Sequence, residues 1–190
     1  LFSSPPPRAV STAVMAYFTA DGHADIVASA PGLLMIYVAD RRGQFSTPAK
    51  ILAAFKGETP GDPMVITAGD IDADGDLDVY LGHYTLPYEG GQMPTPYYDA
   101  NDGYLDFMFR NDGNGEFSEM TEAAGLVPKR RRRTYAASLA DIDKDFDLDL
   151  IVISDFSGVD VHANDGTGKF TDITDKVDQR HSFGMSLTFA

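Results

Sequence analysis

Short apolar runs, each bounded by Gly, Asn or Asp, recur along the whole chain in three successive segments of four runs. The runs are rich in Val, Ile, Tyr and Phe, which is typical of β-strands, and the residues between them favour tight turns. The predicted strands are 10–16, 26–30, 34–38 and 44–47 in the first segment, 64–69, 79–84, 104–110 and 116–120 in the second, and 134–140, 150–154, 159–163 and 169–173 in the third.

Two motifs alternate with these runs in a fixed order, which indicates that the chain consists of internal repeats. An aspartate loop separates the first and second strands, and an Asn-Asp-Gly turn, typical of a hairpin that needs positive φ, separates the third and fourth. The aspartate loops are DIDADGDLD at 70–78, DIDKDFDLD at 141–149 and a worn copy, YFTADGHAD, at 17–25. The turns are NDGNGEF at 111–117, NDGTGKF at 164–170 and a weaker ADRRGQF at 39–45.

Four antiparallel strands per repeat, at roughly 50 residues per repeat, predict the blades of an all-β propeller. We expect a single β-propeller segment over 1–190, with three blades and the first strand of a further one. Their predicted bounds are about 10–47, about 64–120 with an insert at 84–104, about 134–173, and 185–190. Three blades would leave open sheet faces and edges. We therefore expect this segment to be part of a longer propeller, or its blades to pack on partners.

The composition of the chain excludes several classes of function. The chain has 190 residues, 43% of them hydrophobic, a formal net charge of −14 and no cysteine. Disulfides and thiolate metal sites are therefore excluded, and the acidic balance argues against nucleic-acid binding. No stretch of 18 apolar residues exists, so we expect no membrane span. The chain has no Cys nucleophile, no G-x-S-x-G and no H-E-x-x-H, and its four histidines are scattered, so it is predicted not to be an enzyme.

The aspartate loops predict calcium sites, because alternate carboxylates on a tight loop can converge on one hard cation. Gly75 at the sixth position allows the loop to reverse, whereas the third copy has Phe146 there. If that position is left-handed, Phe costs roughly 1–2 kcal/mol. A helix-flanked calcium loop would carry Glu at its twelfth position, where this chain has Leu81, so only the first half of such a loop is matched.

We expect two Ca²⁺ ions, one in each complete loop. The alternative is a solvated acidic turn, and for the worn copy at 17–25 that alternative is favoured. The candidate ligands are Asp70, Asp72, Asp74, Asp76, Asp78, Asp141, Asp143, Asp145, Asp147 and Asp149.

These motifs resemble the FG-GAP/VCBS repeat family, and most closely the repeats of the cartilage-acidic-protein and ASPIC/UnbV group. The matching segments are GDIDADGDLDVYLG, ADIDKDFDLDLIVIS, FRNDGNGEFSEMTEAAGL and NDGTGKFTDITDKV. The resemblance implies a calcium-binding propeller of the integrin-α type, usually secreted or on a cell surface, with its ions in the loops between the first and second strands. Phe146 and the worn copy depart from that pattern.

The opposite face of the predicted propeller carries the insert at 84–104 and a basic run at 129–133. The insert is rich in Tyr, Gly and Pro, and long loops on a rigid scaffold often carry function. The alternatives are an insert that packs on its own blade and a solvated basic turn. The candidate partner-binding residues are Tyr88, Tyr97, Tyr98, Arg130, Arg131, Arg132 and Arg133.

Two functions remain open at this stage. The first is a non-catalytic, calcium-stabilised scaffold for protein–protein interaction, adhesion or assembly of a larger extracytoplasmic complex. The second is a calcium-dependent, lectin-like module that binds a glycan, since Tyr-rich loops suit sugar rings. Both predict an extracellular, cell-surface or periplasmic protein.

Overall fold

The computed structural model describes residues 9–55, 61–86, 88, 93–176 and 185–186. Within them the chain forms twelve β-strands and no α-helix. Of the further strand expected at 185–190, all but residues 185–186 lie outside the described part. The strands are β1 Thr12–Ala16, β2 Asp25–Ala30, β3 Leu33–Tyr37, β4 Lys50–Ala54, β5 Asp62–Gly69, β6 Asp78–Tyr84, β7 Phe107–Asn111, β8 Phe117–Glu119, β9 Arg133–Ala140, β10 Asp149–Asp155, β11 Gly158–Asn164 and β12 Phe170–Asp172.

The twelve strands form three four-stranded antiparallel sheets, in the orders β1-β2-β3-β4, β5-β6-β7-β8 and β9-β10-β11-β12. Each sheet is a meander in which strands adjacent in sequence are hydrogen-bonded neighbours. This confirms the all-β class and the four-stranded, propeller-like blades. The described blades form an open set rather than a closed ring. In each blade the aspartate loop joins the first two strands, as predicted.

The blades pack face to face, with β1 against β5 and β5 against β9. Because side chains alternate along a strand, β6 serves both interfaces. Val79 and Leu81 belong to the apolar cluster shared with the first blade, whereas Tyr80 belongs to the cluster shared with the third. Gly82 allows β6 to approach β9 closely, because a Cβ at this position would lie 2.6 Å from Thr134 Cγ2.

Polar groups also link neighbouring blades. The Asn111 side-chain amide donates to the Phe18 carbonyl of the first blade at 3.0 Å. The Asn164 side chain makes the equivalent bond to the Ile71 carbonyl of the second blade at 2.7 Å. The Asn of each Asn-Asp-Gly turn therefore binds the aspartate loop of the preceding blade.

A buried carboxylate, Asp106, links the second blade to the third. It accepts hydrogen bonds from the Tyr80 hydroxyl at 2.9 Å, the His83 backbone N–H at 2.7 Å and the Thr134 hydroxyl at 2.6 Å. Burial raises the pKa of Asp106 to about 7, despite these three donors. The group is fully enclosed between the two blades, so its role is in their packing.

The fourth strand of the first blade lies later in the chain than predicted. The prediction of a strand at 44–47 was wrong, since β4 spans Lys50–Ala54 and pairs with β3. Asp40 explains the shift, because its carboxylate accepts hydrogen bonds from the backbone of Arg42 and Gln44 and from the Ser46 hydroxyl. These bonds hold the segment in a turn. The first blade therefore extends to Ala54 rather than ending near residue 47.

Candidate metal centre and the opposite face

The aspartate loop of the second blade brings three carboxylates together. Asp70, Asp72 and Asp78 each place an oxygen within 4.8 Å of the others. The Asp70 carboxylate also accepts backbone hydrogen bonds from Asp74 at 3.2 Å and from Gly75 at 3.0 Å. Gly75 has a φ of 93°, which glycine adopts without steric cost. The loop thus curls around its first aspartate and points three acidic groups at one another.

The last aspartate of this loop, Asp78, is also a structural anchor. It is fully buried, and its two oxygens accept the backbone N–H groups of Ile71 at 3.0 Å and Asn111 at 2.8 Å. These bonds tie the loop to the end of β7. Asp78 could still offer its remaining oxygen lone pairs to a cation.

The other two blades repeat this anchor. The Asp149 oxygens accept the N–H groups of Ile142 at 3.0 Å and Asn164 at 2.9 Å. In the worn first loop, Asp25 binds the N–H of Ala39 at 2.9 Å and both the N–H and the hydroxyl of Thr19. Three buried aspartates at equivalent positions therefore have one structural role, whether or not their loops hold an ion.

The electrostatics of the second-blade loop fit a divalent cation. Burial raises the pKa of Asp78 to about 7, and it raises the pKa of Asp72 with help from the neighbouring charge of Asp74. Within the described part of the chain, Asp72 Oδ1 is buried without a hydrogen-bond partner. An uncompensated buried carboxylate is costly, and an oxygen-binding cation removes that cost. The donor set is therefore suited to Ca²⁺.

The third-blade loop gathers a different trio, in which Asp141, Asp143 and Asp145 bring carboxylate oxygens within 4.8 Å of one another. The pKa of Asp147 is raised to about 6 by burial and by Asp145, and its Oδ1 has no partner among the described residues. Phe146 adopts a φ of 76° and is 95% exposed. Phe146 therefore keeps the positive φ that Gly75 has at the equivalent position of the second-blade loop.

Six of the ten predicted ligands lie in these two clusters. Outside them, Asp74 accepts the N–H of Asp76 at 2.9 Å, and Asp76 faces the Asn-Asp-Gly turn, where a Cβ at Gly113 would lie 3.5 Å from its Oδ2. The two sequence motifs of a blade thus contact each other. In the first blade, Asp21 accepts the N–H of His23 at 2.8 Å, and this bond lowers the pKa of Asp21.

On the opposite face, the insert of the second blade packs on the β10–β11 hairpin of the third. The Ala100 N–H donates to the Phe156 carbonyl at 3.2 Å, and the Ser157 hydroxyl donates to the Ala100 carbonyl at 2.6 Å. The Tyr97 ring lies 5.3 Å from that of Phe156 and 4.9 Å from that of Tyr98, centroid to centroid. The insert therefore packs on the third blade. The alternative derived from the sequence placed it against its own blade, the second.

Two arginines of the basic run bind this insert rather than facing solvent, which corrects the expectation that they are offered to a partner. Arg132 is 4% exposed and pairs with Asp160 at 2.8 Å and Asp99 at 2.7 Å. Arg133 is 3% exposed and pairs with Asp102 at 3.0 Å. Their partners lie about 30 residues away in sequence, so no local pattern could have identified them.

The other candidate partner-binding residues have mixed environments. Tyr88 and Tyr98 are 56% and 69% exposed, which leaves both rings accessible. The Arg130 guanidinium lies 5.0 Å above the centre of the Phe107 ring, an arrangement that favours a cation–π contact. Arg131 is exposed and reaches the Gly103 carbonyl at 3.5 Å.

Sequence reasoning missed a polar cavity of about 350 Å³ beside the insert. Its charged residues come from four separate segments, so their sequence positions gave no signal. Lys129 joins two of them, contacting Asp160 at 2.6 Å and Asp172 at 2.8 Å. Burial alone would raise the pKa of Asp172, but hydrogen bonds from Lys129 and Thr174 outweigh burial and hold that pKa at about 2.

Residues 18–81 match the family described as FG-GAP-like repeat. The match runs from the first aspartate loop through β2–β5 and the loop at 70–78 into β6, and it confirms the resemblance to this repeat family. The chain thus carries an FG-GAP-like repeat within its propeller-like blades. Such repeats are generally scaffold units rather than catalytic ones. A comparison with curated proteins gave no significant match. Within the described residues, no helix is long and apolar enough to cross a bilayer.

Proposed function

We propose that this protein is a calcium-stabilised, propeller-type scaffold that binds a protein partner in an extracytoplasmic complex. The observation that supports calcium most directly concerns two loops. Each brings three carboxylates together and also holds a buried carboxylate oxygen without a hydrogen-bond partner among the described residues. Hard oxygen donors of this kind suit Ca²⁺. The FG-GAP-like repeat agrees with a scaffold and with an extracellular or cell-surface setting.

Asp70, Asp72 and Asp78 would hold one ion, and Asp141, Asp143 and Asp145 the other. When bound, the cation supplies positive charge that compensates the crowded carboxylates. The chain supplies the fixed loop, because backbone N–H groups already orient Asp70 and Asp78 at the first site. They also orient Asp141 and Asp145 at the second site. Ion binding would therefore stabilise the connection between the first two strands of a blade.

Thermal unfolding with and without calcium tests this proposal. EDTA-treated protein should gain melting temperature on adding Ca²⁺, because a ligand at 100-fold excess over its Kd contributes about 2.7 kcal/mol per site. Replacing Asp72 and Asp143 by Asn should remove most of that gain, whereas Glu122→Gln, an exposed carboxylate outside both loops, should retain it. Superimposable melting curves of the unsubstituted protein in EDTA and in Ca²⁺ would show the calcium assignment to be wrong.

The face opposite the aspartate loops is the proposed docking surface. Tyr98 and Tyr88 present accessible rings there, and the ion pairs of Arg132 and Arg133 fix the insert that carries them. Tyrosine is favoured at interfaces because its ring gives a large contact area at low entropic cost. A rigidly held aromatic loop is a suitable surface for a protein partner.

A lectin-like module is the second candidate, favoured by the exposed Tyr98 ring in the insert, which also contributes Asp99 to a polar cavity. An aromatic ring next to carboxylates is an arrangement that can bind a sugar. A glycan array in Ca²⁺ and in EDTA separates the two candidates. Calcium-sensitive binding to a defined sugar would favour the lectin, and an array without binders would favour the protein scaffold.

A further inference from the structure

A second, much smaller cavity lies between the second and third blades. Its volume is about 10 Å³. That is close to the roughly 10–15 Å³ of free space that one water molecule needs. A cavity of this size admits one water molecule or one small ion and excludes larger ligands. Its polar lining includes Tyr80, Asp106, Arg130 and His162, and its apolar lining includes Leu126, Leu150 and Val152.

Two buried polar groups of this lining have no partner within the described part of the chain. His162 is 5% exposed, and its ring makes no hydrogen bond there. The Arg130 Nε atom is also buried and unpaired. The Arg130 guanidinium lies 5.0 Å above the centre of the Phe107 ring, a contact that leaves its N–H donors without an acceptor. Since buried polar groups normally pair with protein or with ordered water, these two atoms indicate a bound ligand.

The other charged groups around the cavity are already engaged within the protein. Lys129 contacts Asp160 at 2.6 Å, and Arg132 contacts the same carboxylate at 2.8 Å. These three residues line both this cavity and the larger one beside the insert, so their ion pairs separate the two. Asp106 already accepts three hydrogen bonds. The groups that remain for a ligand are therefore Arg130 and His162.

The hydrogen-bonding capacity of these two groups selects the ligand. Burial lowers the pKa of the His162 imidazole, and the nearby carboxylates of Asp160 and Asp172 only partly oppose this effect. The ring is therefore neutral at pH 7 and offers one acceptor nitrogen and one N–H donor. A cation would lie next to the Arg130 guanidinium, and an anion would face the acceptor nitrogen of the ring. A water molecule can both accept from Arg130 and donate to His162.

We propose that one ordered water molecule binds in this cavity and bridges Arg130 of the basic run to His162 of β11. The water accepts a hydrogen bond from Arg130 Nε–H and donates one to the unprotonated ring nitrogen of His162. It completes the polar packing between the second and third blades, and buried waters of this kind are costly to remove. This site requires neither calcium nor a partner, and it gives Arg130 a role inside the fold.

A crystal structure of the whole chain, at a resolution that shows ordered waters, tests the proposal directly. We expect a single peak of electron density within about 2.7–3.2 Å of both Arg130 Nε and a ring nitrogen of His162. An empty site in a map that shows other buried waters would overturn the proposal. An anomalous signal of chloride at the site would overturn it as well.

Two substitutions of His162 give an independent test in solution. His162→Leu removes the acceptor and should lower the melting temperature by at least about 2 °C, because the water then loses one of its partners. His162→Gln keeps a donor and an acceptor and should recover part of that loss. In a dry cavity the opposite sign is expected, because leucine would replace a buried polar ring that has no partner.

The order of the three melting temperatures decides between these cases. The proposal requires the unsubstituted protein to melt highest, His162→Gln next and His162→Leu lowest. It is contradicted by a His162→Leu variant that melts at or above the unsubstituted protein, and equally by a His162→Gln variant that melts no higher than His162→Leu. The same order is expected in Ca²⁺ and in EDTA, so the result does not depend on the proposed metal sites.

Discussion

At the scale of single residues, Phe146 shows how far one side chain can depart from its repeat. It occupies a left-handed conformation, with φ 76°, at the position where the second blade has Gly75. Its ring is almost fully exposed and so makes few contacts that could offset the backbone strain. The fold therefore tolerates backbone strain at Phe146, whereas glycine avoids that strain in the aspartate loop of the second blade.

Phe146→Gly should stabilise the protein. We expect a gain of about 1 kcal/mol in the free energy of unfolding, because glycine adopts positive φ without the steric cost of a Cβ. Urea denaturation in Ca²⁺ measures the change. The matched control, Gly75→Ala, places a Cβ in open space at φ 93° and should destabilise the protein by about 1 kcal/mol. A gain from alanine at residue 75 would contradict the argument.

His83 gives a pH prediction. Its ring is fully buried, edge-on to Phe55 and Phe107 at 6.1 Å and 5.8 Å between centroids. Burial lowers its pKa to about 4, below the 6.5 of an unfolded histidine. Between these two values the unfolded chain binds a proton that the folded chain does not, so stability falls as pH falls through this window. At pH 5 the loss amounts to about 2 kcal/mol.

Replacing His83 by Phe should remove this component of the pH dependence. We expect the difference in unfolding free energy between pH 7 and pH 5 to shrink by about 2 kcal/mol in the variant. The measurement is urea unfolding at both pH values. Identical pH profiles for the unsubstituted protein and His83→Phe would show that folding does not lower the pKa of His83.

At the scale of elements, the insert and the basic run form one unit. The Arg133 guanidinium spans Asp102 and the carbonyls of Thr85 and Leu86, so it holds both ends of the insert. Arg132 holds its middle through Asp99 and the Ala100 carbonyl. None of the described residues between 85 and 104 lies in a strand, so this part of the insert is held by buried charge rather than by a sheet ladder.

Arg133→Met should loosen the insert selectively. Removing one partner of a buried ion pair leaves Asp102 uncompensated, which is strongly destabilising locally. We expect chymotrypsin to cleave near Tyr97 and Tyr98 at least about tenfold faster, with the sheets still intact by circular dichroism. Arg41→Met, at an exposed position on the first blade, should not change the cleavage rate. Unchanged cleavage in Arg133→Met would show that the insert is held by other contacts.

Elements were predictable where their information is local. Alternation of apolar residues and the recurrence of turns identify β6 and β10 within one residue of their starts, because both strands are bounded by aspartate loops. The predicted position of β4 was wrong because the hydrogen bonds of Asp40 extend a turn into residues for which the apolar pattern predicts a strand. The burial of Arg132 and Arg133 depends on acidic partners from distant segments, and a single sequence does not show which residues will meet.

At the scale of the whole molecule, the middle blade should be the most protected. β6 is buried along its whole length and contributes to the clusters on both sides. The outer strands β4 and β8 have mostly exposed or half-buried residues. In a stack where each unit contacts only its neighbours, stability is highest where two interfaces meet.

Hydrogen exchange with mass spectrometry measures this gradient. We expect peptides from β6 to exchange most slowly, with rates set by global unfolding, and peptides from β4 and β8 to exchange at least about tenfold faster. Peptides from β1, a first strand like β5 but with only one neighbouring blade described, provide an internal comparison and should fall between. Exchange in β6 as fast as in β8 would mean that contacts with both neighbouring blades give β6 no extra protection.

The asparagine links give the array of blades a direction. Asn111 binds the carbonyl of Phe18, and Asn164 binds that of Ile71, so each blade recognises the one before it. The same position in the third blade is the carbonyl of Ile142. A tandem duplication of one complete repeat would reproduce both the donor and the acceptor, and the copies could dock without further change. Repeats inserted out of phase or in reversed order would lack that match, so this one amide restricts which rearrangements of the gene can yield a folded array.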